Sequence, residues 1–396
     1  MEETVGVGTG GGAMSAAPRR MRVLVVSLGR RGGVNEYGWL MSRALADRFD
    51  IATITSAGAE GRERWATLEG PHLEVPTFSS VATLVGSFFV WARFARIRRF
   101  ARSFGPDIVY YPGGHAWKPV LDLILPRNAK VVLTVHDPEL HEGETSLAHR
   151  LLDKSNQLKV QGFVLLNEAQ RAGFIARCGV DAAHVAVIPH GIFEDLKGRE
   201  APLLDVEGLH DVAPYSGAYA LFIGRIERYK GIELLLSAYT RIASEAAFPL
   251  VLAGSGEFSA QETVLLRSLA DRRIVVINRW LSDAEVAALV AAARFVVLPY
   301  TSGTQSGVIP LASTFGVPSI ASDVGGITEQ VIDGETGFLF AAGDSLRLTA
   351  VLNRAFAMND SEYAVMSEQC ARHAEEEWRW DALATRLGEF FKSLVG

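Results

Sequence analysis

The chain has 396 residues, a length that favours two or three domains, and its 48% apolar and 21% charged content excludes a disordered or fibrous protein. A net charge of −6 argues against bulk attraction to nucleic acid. Two cysteines, Cys178 and Cys370, are too few for a disulfide framework, lack metal-ligand spacing and fit a cytoplasmic location.

Residues 1–20 are glycine-rich, lack the order of a secretory signal and read as a flexible tail. Strands are expected at Arg22–Ser27, Ile51–Thr55, Asp107–Tyr111, Lys130–His136, Gly162–Leu166 and Val185–Pro189. After the first strand, Val34, Tyr37, Met41 and Leu45 fall at helical spacing on one face. Val81 to Ala92 is the longest apolar stretch and is too short to span a bilayer. It runs into Arg93, Arg96, Arg98, Arg99 and Arg102, so residues 81–102 read either as a helix packed on a sheet or as a peripheral contact with an anionic membrane. Residues 192–216 are charged, hold two prolines, show no period and read as a linker. The pattern then restarts with strands at Ala218–Ile223, Leu250–Ala253, Ile274–Ile277, Phe295–Leu298 and Pro318–Ala321. Charge divides along the same line, with 24 basic against 21 acidic residues in 1–200 and 15 against 24 in 201–396. Buried strands alternating with helices predict two doubly wound α/β domains. Ligands in such sheets bind beyond the carboxyl ends of the strands.

Four loops at those ends carry chemistry. Ser27–Asn35 (SLGRRGGVN) offers Gly29, Gly32 and Gly33 for close backbone approach, or is a plain tight turn. Gly224–Gly231 (GRIERYKG) presents Arg225 and Lys230, either as a solvated surface pair or as a phosphate-binding pair. Pro299–Gly307 (PYTSGTQSG) precedes a helix near Val308; Thr304 or Ser306 is its N-cap, and its free amides suit phosphate or sugar oxygens. Residues 135–144 (VHDPELHEGE) gather His136, Asp137, His141, Glu142 and Glu144 without a zinc or two-metal pattern, and His136 fits hydrogen bonding to a polar substrate better than metal binding. Asp323–Phe338 reads as a further glycine-punctuated loop and helix. No metal and no cofactor is expected.

Taken in order, SLGRRGGVNEYG, TVHD, VIPHG, LFIGRIERYKGIELLL, VLAGSGEF, LSDAEVAALVAAARFVVLPY, FGVPSIASDVGGITEQVIDGETGFL and EEEWRWDALATRL resemble glycosyltransferase family 4, of the two-Rossmann GT-B fold, from about residue 21 onward. The resemblance implies an acceptor domain at 21–191, a linker at 192–216 and a nucleotide-sugar donor domain at 217–374. A C-terminal helix at 375–396 would return toward the first domain. It implies retaining transfer of a sugar from a nucleoside diphosphate to a glycan or lipid-linked acceptor, in cell-surface polysaccharide synthesis. Arg225 and Lys230 match the family's basic pair at the diphosphate, and His136 the histidine that reaches the donor sugar. Gly32 and Gly33 match the loop above the diphosphate, and Gly307 and Val308 the amides at sugar and phosphate.

One departure stands out. Gly303 and Leu311 occupy the positions of two family glutamates, which contact the donor sugar and the ribose diol. Thr304, Gln305 and Ser306 are the candidate replacements at the sugar, and Glu329 is the nearest remaining acid of the family pattern. The missing pair motivates an alternative, a non-catalytic GT-B subunit that binds a partner glycosyltransferase.

Overall fold

A computed structural model describes residues 19–30, 32–78, 83, 84, 86, 90–138, 154–203, 211–243, 248–270 and 273–396. Seven strands form the first sheet: β1 (Arg22–Ser27), β2 (Asp50–Ser56), β3 (His72–Val75), β4 (Ile108–Tyr111), β5 (Lys130–Val135), β6 (Gly162–Leu165) and β7 (Val185–Val187), in the order 3-2-1-4-5-6-7. Six form the second: β8 (Ala220–Ile223), β9 (Leu250–Ala253), β10 (Ile274–Ile277), β11 (Phe295–Leu298), β12 (Ser319–Ser322) and β13 (Gly337–Phe340), in the order 10-9-8-11-12-13. Every pairing is parallel, as in β1 with β2 and β8 with β9. Strand order reverses beside β1 in one sheet and beside β8 in the other. A crevice opens at such a switch point because successive crossovers leave on opposite faces of the sheet.

Apolar side chains cover both faces of the first sheet. Val23, Tyr110 and Val132 lie in one core, and Leu24, Val109 and Leu133 in the other. This is the pleat alternation of strands buried on both sides. The helix Trp91–Phe104 supplies Phe94, Ile97 and Ala101 to the second of these cores, at one-turn spacing, and leaves Arg96, Arg98, Arg99 and Arg102 outside. Of the residues from 81 to 90 that the sequence joins to this helix, all but 83, 84, 86 and 90 lie outside the described residues.

The chain crosses between the domains twice. Residues 191–193 leave the first domain and residues 378–380 return to it, side by side. The Ile192 amide donates to the Trp378 carbonyl at 3.0 Å, and Trp380 Nε1 donates to the Ile192 carbonyl at 2.6 Å. The helix Trp380–Val395 then packs Leu383, Leu387 and Phe391 with Tyr37 and Leu40 of the helix Gly33–Ala46.

Three local readings differ from the sequence. Two edge strands, β3 and β13, go unseen there: β3 (HLEV) holds only two apolar residues, Leu73 and Val75, and β13 hides behind the glycines of Asp323–Phe338. Within that run the expected helix is one short 3-10 stretch, Gly325–Glu329. Residues 192–216 are not a bare linker, since Ile192, Leu196 and Val212 are buried in the second domain's core. Their apolar residues are too widely spaced to show a period, and tertiary contacts bury them one at a time.

Candidate functional site

Loops from both switch points meet across a cleft of about 350 Å3. The first domain contributes Gly32, Gly33, Asn35, Glu36 and Arg64; the second contributes Gly224, Arg225, Gly254, Arg279, Trp280 and Leu311. Glycine is required where two of these loops touch: Gly254 has φ +142°, and a Cβ there would strike the Gly224 carbonyl. The cleft wall is charged but balanced. Arg64 grips the Glu36 carboxylate with two hydrogen bonds, of 3.0 and 2.5 Å, and its guanidinium lies 4.6 Å from the centroid of the Trp39 ring. Burial raises the Glu36 pKa, and the Arg64 contact offsets part of that rise.

Arg225 and Lys230, five apart in sequence, have different surroundings. Arg225 is exposed, lines the cleft and pairs with Glu227 at 2.7 Å. Lys230 does not line that cleft. Its Nζ sits 3.9 Å from the centroid of the Tyr300 ring and 5.0 Å from that of Tyr229. Burial alone would lower its pKa, but the two phenols outweigh burial and the net direction is upward, so the ammonium stays charged.

The loop after β11 is tied to its surroundings residue by residue. Thr304 does not cap the following helix: its hydroxyl donates across the cleft to Asp137 Oδ1 at 2.6 Å, and its carbonyl accepts from Asn167 Nδ2 at 2.8 Å. Nor is Ser306 the cap: Gly307 holds that position without a side-chain bond, although Ser306 Oγ accepts from the Val308 amide at 3.3 Å, so that amide is already satisfied. Gln330 clamps the Ser306 backbone, accepting from its amide at 2.9 Å and donating to its carbonyl at 3.1 Å. Gln305 Oε1 is buried without a hydrogen bond. A Cβ on Gly303 would meet Tyr300 at 3.6 Å and Ile327 at 3.9 Å. Glu329 turns to the other domain, where its carboxylate accepts from the amides of Glu168 and Ala169 at 2.8 and 2.6 Å. Thr304 and Glu329 therefore bridge the domains here.

His136 stands at the end of β5. Its Nε2 lies 2.8 Å from the Pro112 carbonyl, which can only accept, so the proton is on Nε2 and Nδ1 keeps its lone pair. Burial holds its pKa below the usual histidine value, partly offset by that hydrogen bond. The ring meets Tyr37 edge-on at 5.0 Å. A second histidine, His190, packs on the same tyrosine at 5.5 Å and stacks on Phe193 at 5.1 Å. It appears in the sequence only within VIPHG, without a role. The signal was present, because His190, like His136, follows the carboxyl end of a parallel strand. Of the acidic and histidine group at 135–144, His141, Glu142 and Glu144 lie outside the described residues. Among the described residues no group of three or more His, Cys, Asp or Glu side chains is placed to hold a metal ion.

Comparison with known proteins agrees with this architecture. The family model described as Glycosyltransferase Family 4 matches residues 31–196, and that described as Glycosyl transferases group 1 matches residues 217–357. A D-inositol 3-phosphate glycosyltransferase of Streptomyces scabiei is 29% identical over 63% of this chain and 57% of its own length. One of Corynebacterium aurimucosum is 25% identical over 94% of this chain and 96% of its own length. A glycogen synthase of Thermus thermophilus is 27% identical over 44% of this chain and 38% of its own length. The matches to the Streptomyces and Thermus proteins thus span less than two thirds of those proteins. Among solved structures, HepE of Anabaena in complex with UDP and glucose superposes with a TM-score of 0.73 at 19% identity, over 94% of this chain and all of that one. Sucrose-phosphate synthase of Thermosynechococcus elongatus superposes with a TM-score of 0.70 at 19% identity, over 95% of this chain and 99% of that one. Both share the GT-B fold. With both family models matched in order on that two-domain frame, the chain carries a Glycosyltransferase Family 4 domain followed by a Glycosyl transferases group 1 domain.

Proposed function

We propose that this protein is a retaining, metal-independent glycosyltransferase. It moves a sugar from a nucleoside-diphosphate donor to a glycan or lipid-linked acceptor, in cell-surface polysaccharide synthesis at the cytoplasmic face of a membrane. The observation that carries this reading is the interdomain cleft of about 350 Å3, with glycine backbone on both walls and the exposed Arg225 guanidinium at its edge. A nucleoside diphosphate needs such a space, and its departing phosphate needs fixed positive charge as the sugar's anomeric C–O bond breaks. Arg225 supplies that charge directly. Lys230, on the same loop as Arg225 but outside the cleft lining, is held charged against Tyr300 and adds to the positive potential there. In this reading His136 offers a neutral lone pair to the donor sugar, Gly32 and Gly33 line the cleft, and Gly303, Gln305, Gly307 and Val308, outside that lining, are the backbone proposed to approach the sugar. Leu311 gives the pentose an apolar wall in place of a carboxylate.

Peripheral membrane contact is supported by the outer face of the helix Trp91–Phe104. Trp91 is exposed, and Arg98 and Arg102 border a groove of about 470 Å3 with Arg127 and the exposed Leu123. Among the described residues no helix is long and apolar enough to cross a membrane. The test is sugar transfer by the purified chain alone, with EDTA present, across a panel of nucleotide sugars and lipid-linked acceptors. Transfer with retained anomeric configuration is the expected result. Activity only with Mn2+ or Mg2+ removes metal independence, and activity only with a second protein favours the non-catalytic subunit.

A further inference from the structure

We infer that His190 is a second sugar-binding histidine: its Nε2 accepts a hydrogen bond from a hydroxyl of the transferred sugar, seated against Gly307. This inference rests on the nucleotide-sugar reading above.

His190 is only 4% exposed, yet one of its ring nitrogens remains available. Nδ1 lies 2.7 Å from the Gly191 carbonyl, which can only accept, so the proton is on Nδ1 and Nε2 carries the lone pair. Among the described residues Nε2 has no hydrogen-bond partner, and it is not among the fully enclosed unpaired atoms; its neighbour Phe193 lines the cleft. The ring cannot turn away. Phe193 stacks on one face, and Tyr37 and Trp380 press on it at 5.5 and 5.7 Å.

What Nε2 faces is Gly307 of the other domain, where a Cβ would lie 3.9 Å away, in van der Waals contact with it. Glycine keeps that approach open. A neutral imidazole with an outward lone pair needs a hydrogen donor, which a sugar hydroxyl provides and a phosphate oxygen does not. Three other polar side chains of this loop region are already engaged. The Thr304 hydroxyl donates to Asp137, Ser306 Oγ accepts from the Val308 amide, and Glu329 holds two backbone amides. His190 also spans the hinge: it sits between the crossing at 191–193 and Trp380, so sugar contact and domain position are joined in one side chain.

The experiment compares His190→Phe, which keeps the aromatic packing, with His190→Gln, whose amide oxygen reaches the place of Nε2. Calorimetry on the full chain measures binding of UDP, GDP, ADP and dTDP, and of UDP-glucose, GDP-mannose, ADP-glucose and dTDP-glucose. For the nucleotide that the wild type prefers, His190→Phe should leave the bare diphosphate within about twofold while weakening its sugar conjugate about tenfold, the effect of one hydrogen bond. His190→Gln should recover most of the loss. Equal weakening of diphosphate and conjugate overturns the inference, as does no weakening of either. Wild-type donor binding with lost turnover would assign the imidazole to the acceptor and overturn it too. If no nucleoside diphosphate binds the wild type, the functional reading itself fails, and this inference with it.

Discussion

Replacing Gly191 with alanine tests whether the two crossings pack as one hinge. A Cβ at this position would fall on the Trp380 indole, 2.6 Å from Cδ2 and 2.7 Å from Cζ2. The indole has nowhere to go: it is buried, it contacts Tyr37 and His190, and its Nε1 donates to the Ile192 carbonyl. Inserting a methyl into such a core costs about 1–3 kcal/mol, and losing the indole hydrogen bond adds about 1 kcal/mol. A total of about 2–4 kcal/mol corresponds to a urea midpoint lowered by on the order of 1 M, with m unchanged. Unfolding followed by tryptophan fluorescence and circular dichroism measures it. The matching control is Gly173→Ala, in the helix Arg171–Cys178, where a Cβ meets nothing within 4 Å. That variant should gain about 0.5–1 kcal/mol from helix propensity. If Gly191→Ala unfolds at the wild-type midpoint, Trp380 yields without cost, and the hinge is not a packed unit.

Arg225→Ala should lower kcat by about 10²–10³ with the fold intact, because the side chain is exposed and acts on charge that develops as the donor bond breaks. Near-wild-type turnover would move the diphosphate elsewhere; Lys230→Ala is a poorer test, since it also removes the contact with Tyr300. Burial lowers the pKa of His115 and of His190 to about 4, below the usual 6.5. Their contribution to stability is therefore complete above about pH 6.5 and is lost as pH falls toward 4, at up to about 1.4 kcal/mol per unit for each. Urea midpoints between pH 7.5 and 4.5 should follow that slope, and His115→Phe should flatten it by one histidine's share; superimposable profiles would contradict the burial argument. Co-sedimentation with anionic vesicles should fall with salt and with a combined Arg98→Glu and Arg102→Glu exchange, whereas binding indifferent to both would leave the helix Trp91–Phe104 as a packing element alone.

The sequence by itself determined the architecture. Short β-branched runs such as RVLVVS and FVVL alternate with helical patterns, and strands buried on both sides have few ways to assemble other than as parallel sheets wound with helices. It also located the loops at the carboxyl ends of the strands, because such an end is recognisable from where the apolar run stops. What the sequence could not assign was the partner of each polar side chain within those loops. Thr304, Ser306 and Glu329 carry equally suitable oxygens, and only tertiary structure shows them engaged with Asp137, Val308 and the amides of Glu168 and Ala169. Arg225 and Lys230 look equivalent in GRIERYKG, yet one lines the cleft and the other lies against Tyr300, a residue 70 positions away along the chain. His190 gained its place the same way, through a hinge built from segments nearly two hundred residues apart. Periodicity reports which residues are buried, since burial follows the local repeat of strand or helix. Most of these polar partnerships depend on contacts between distant segments, and such contacts exist only once the chain has folded.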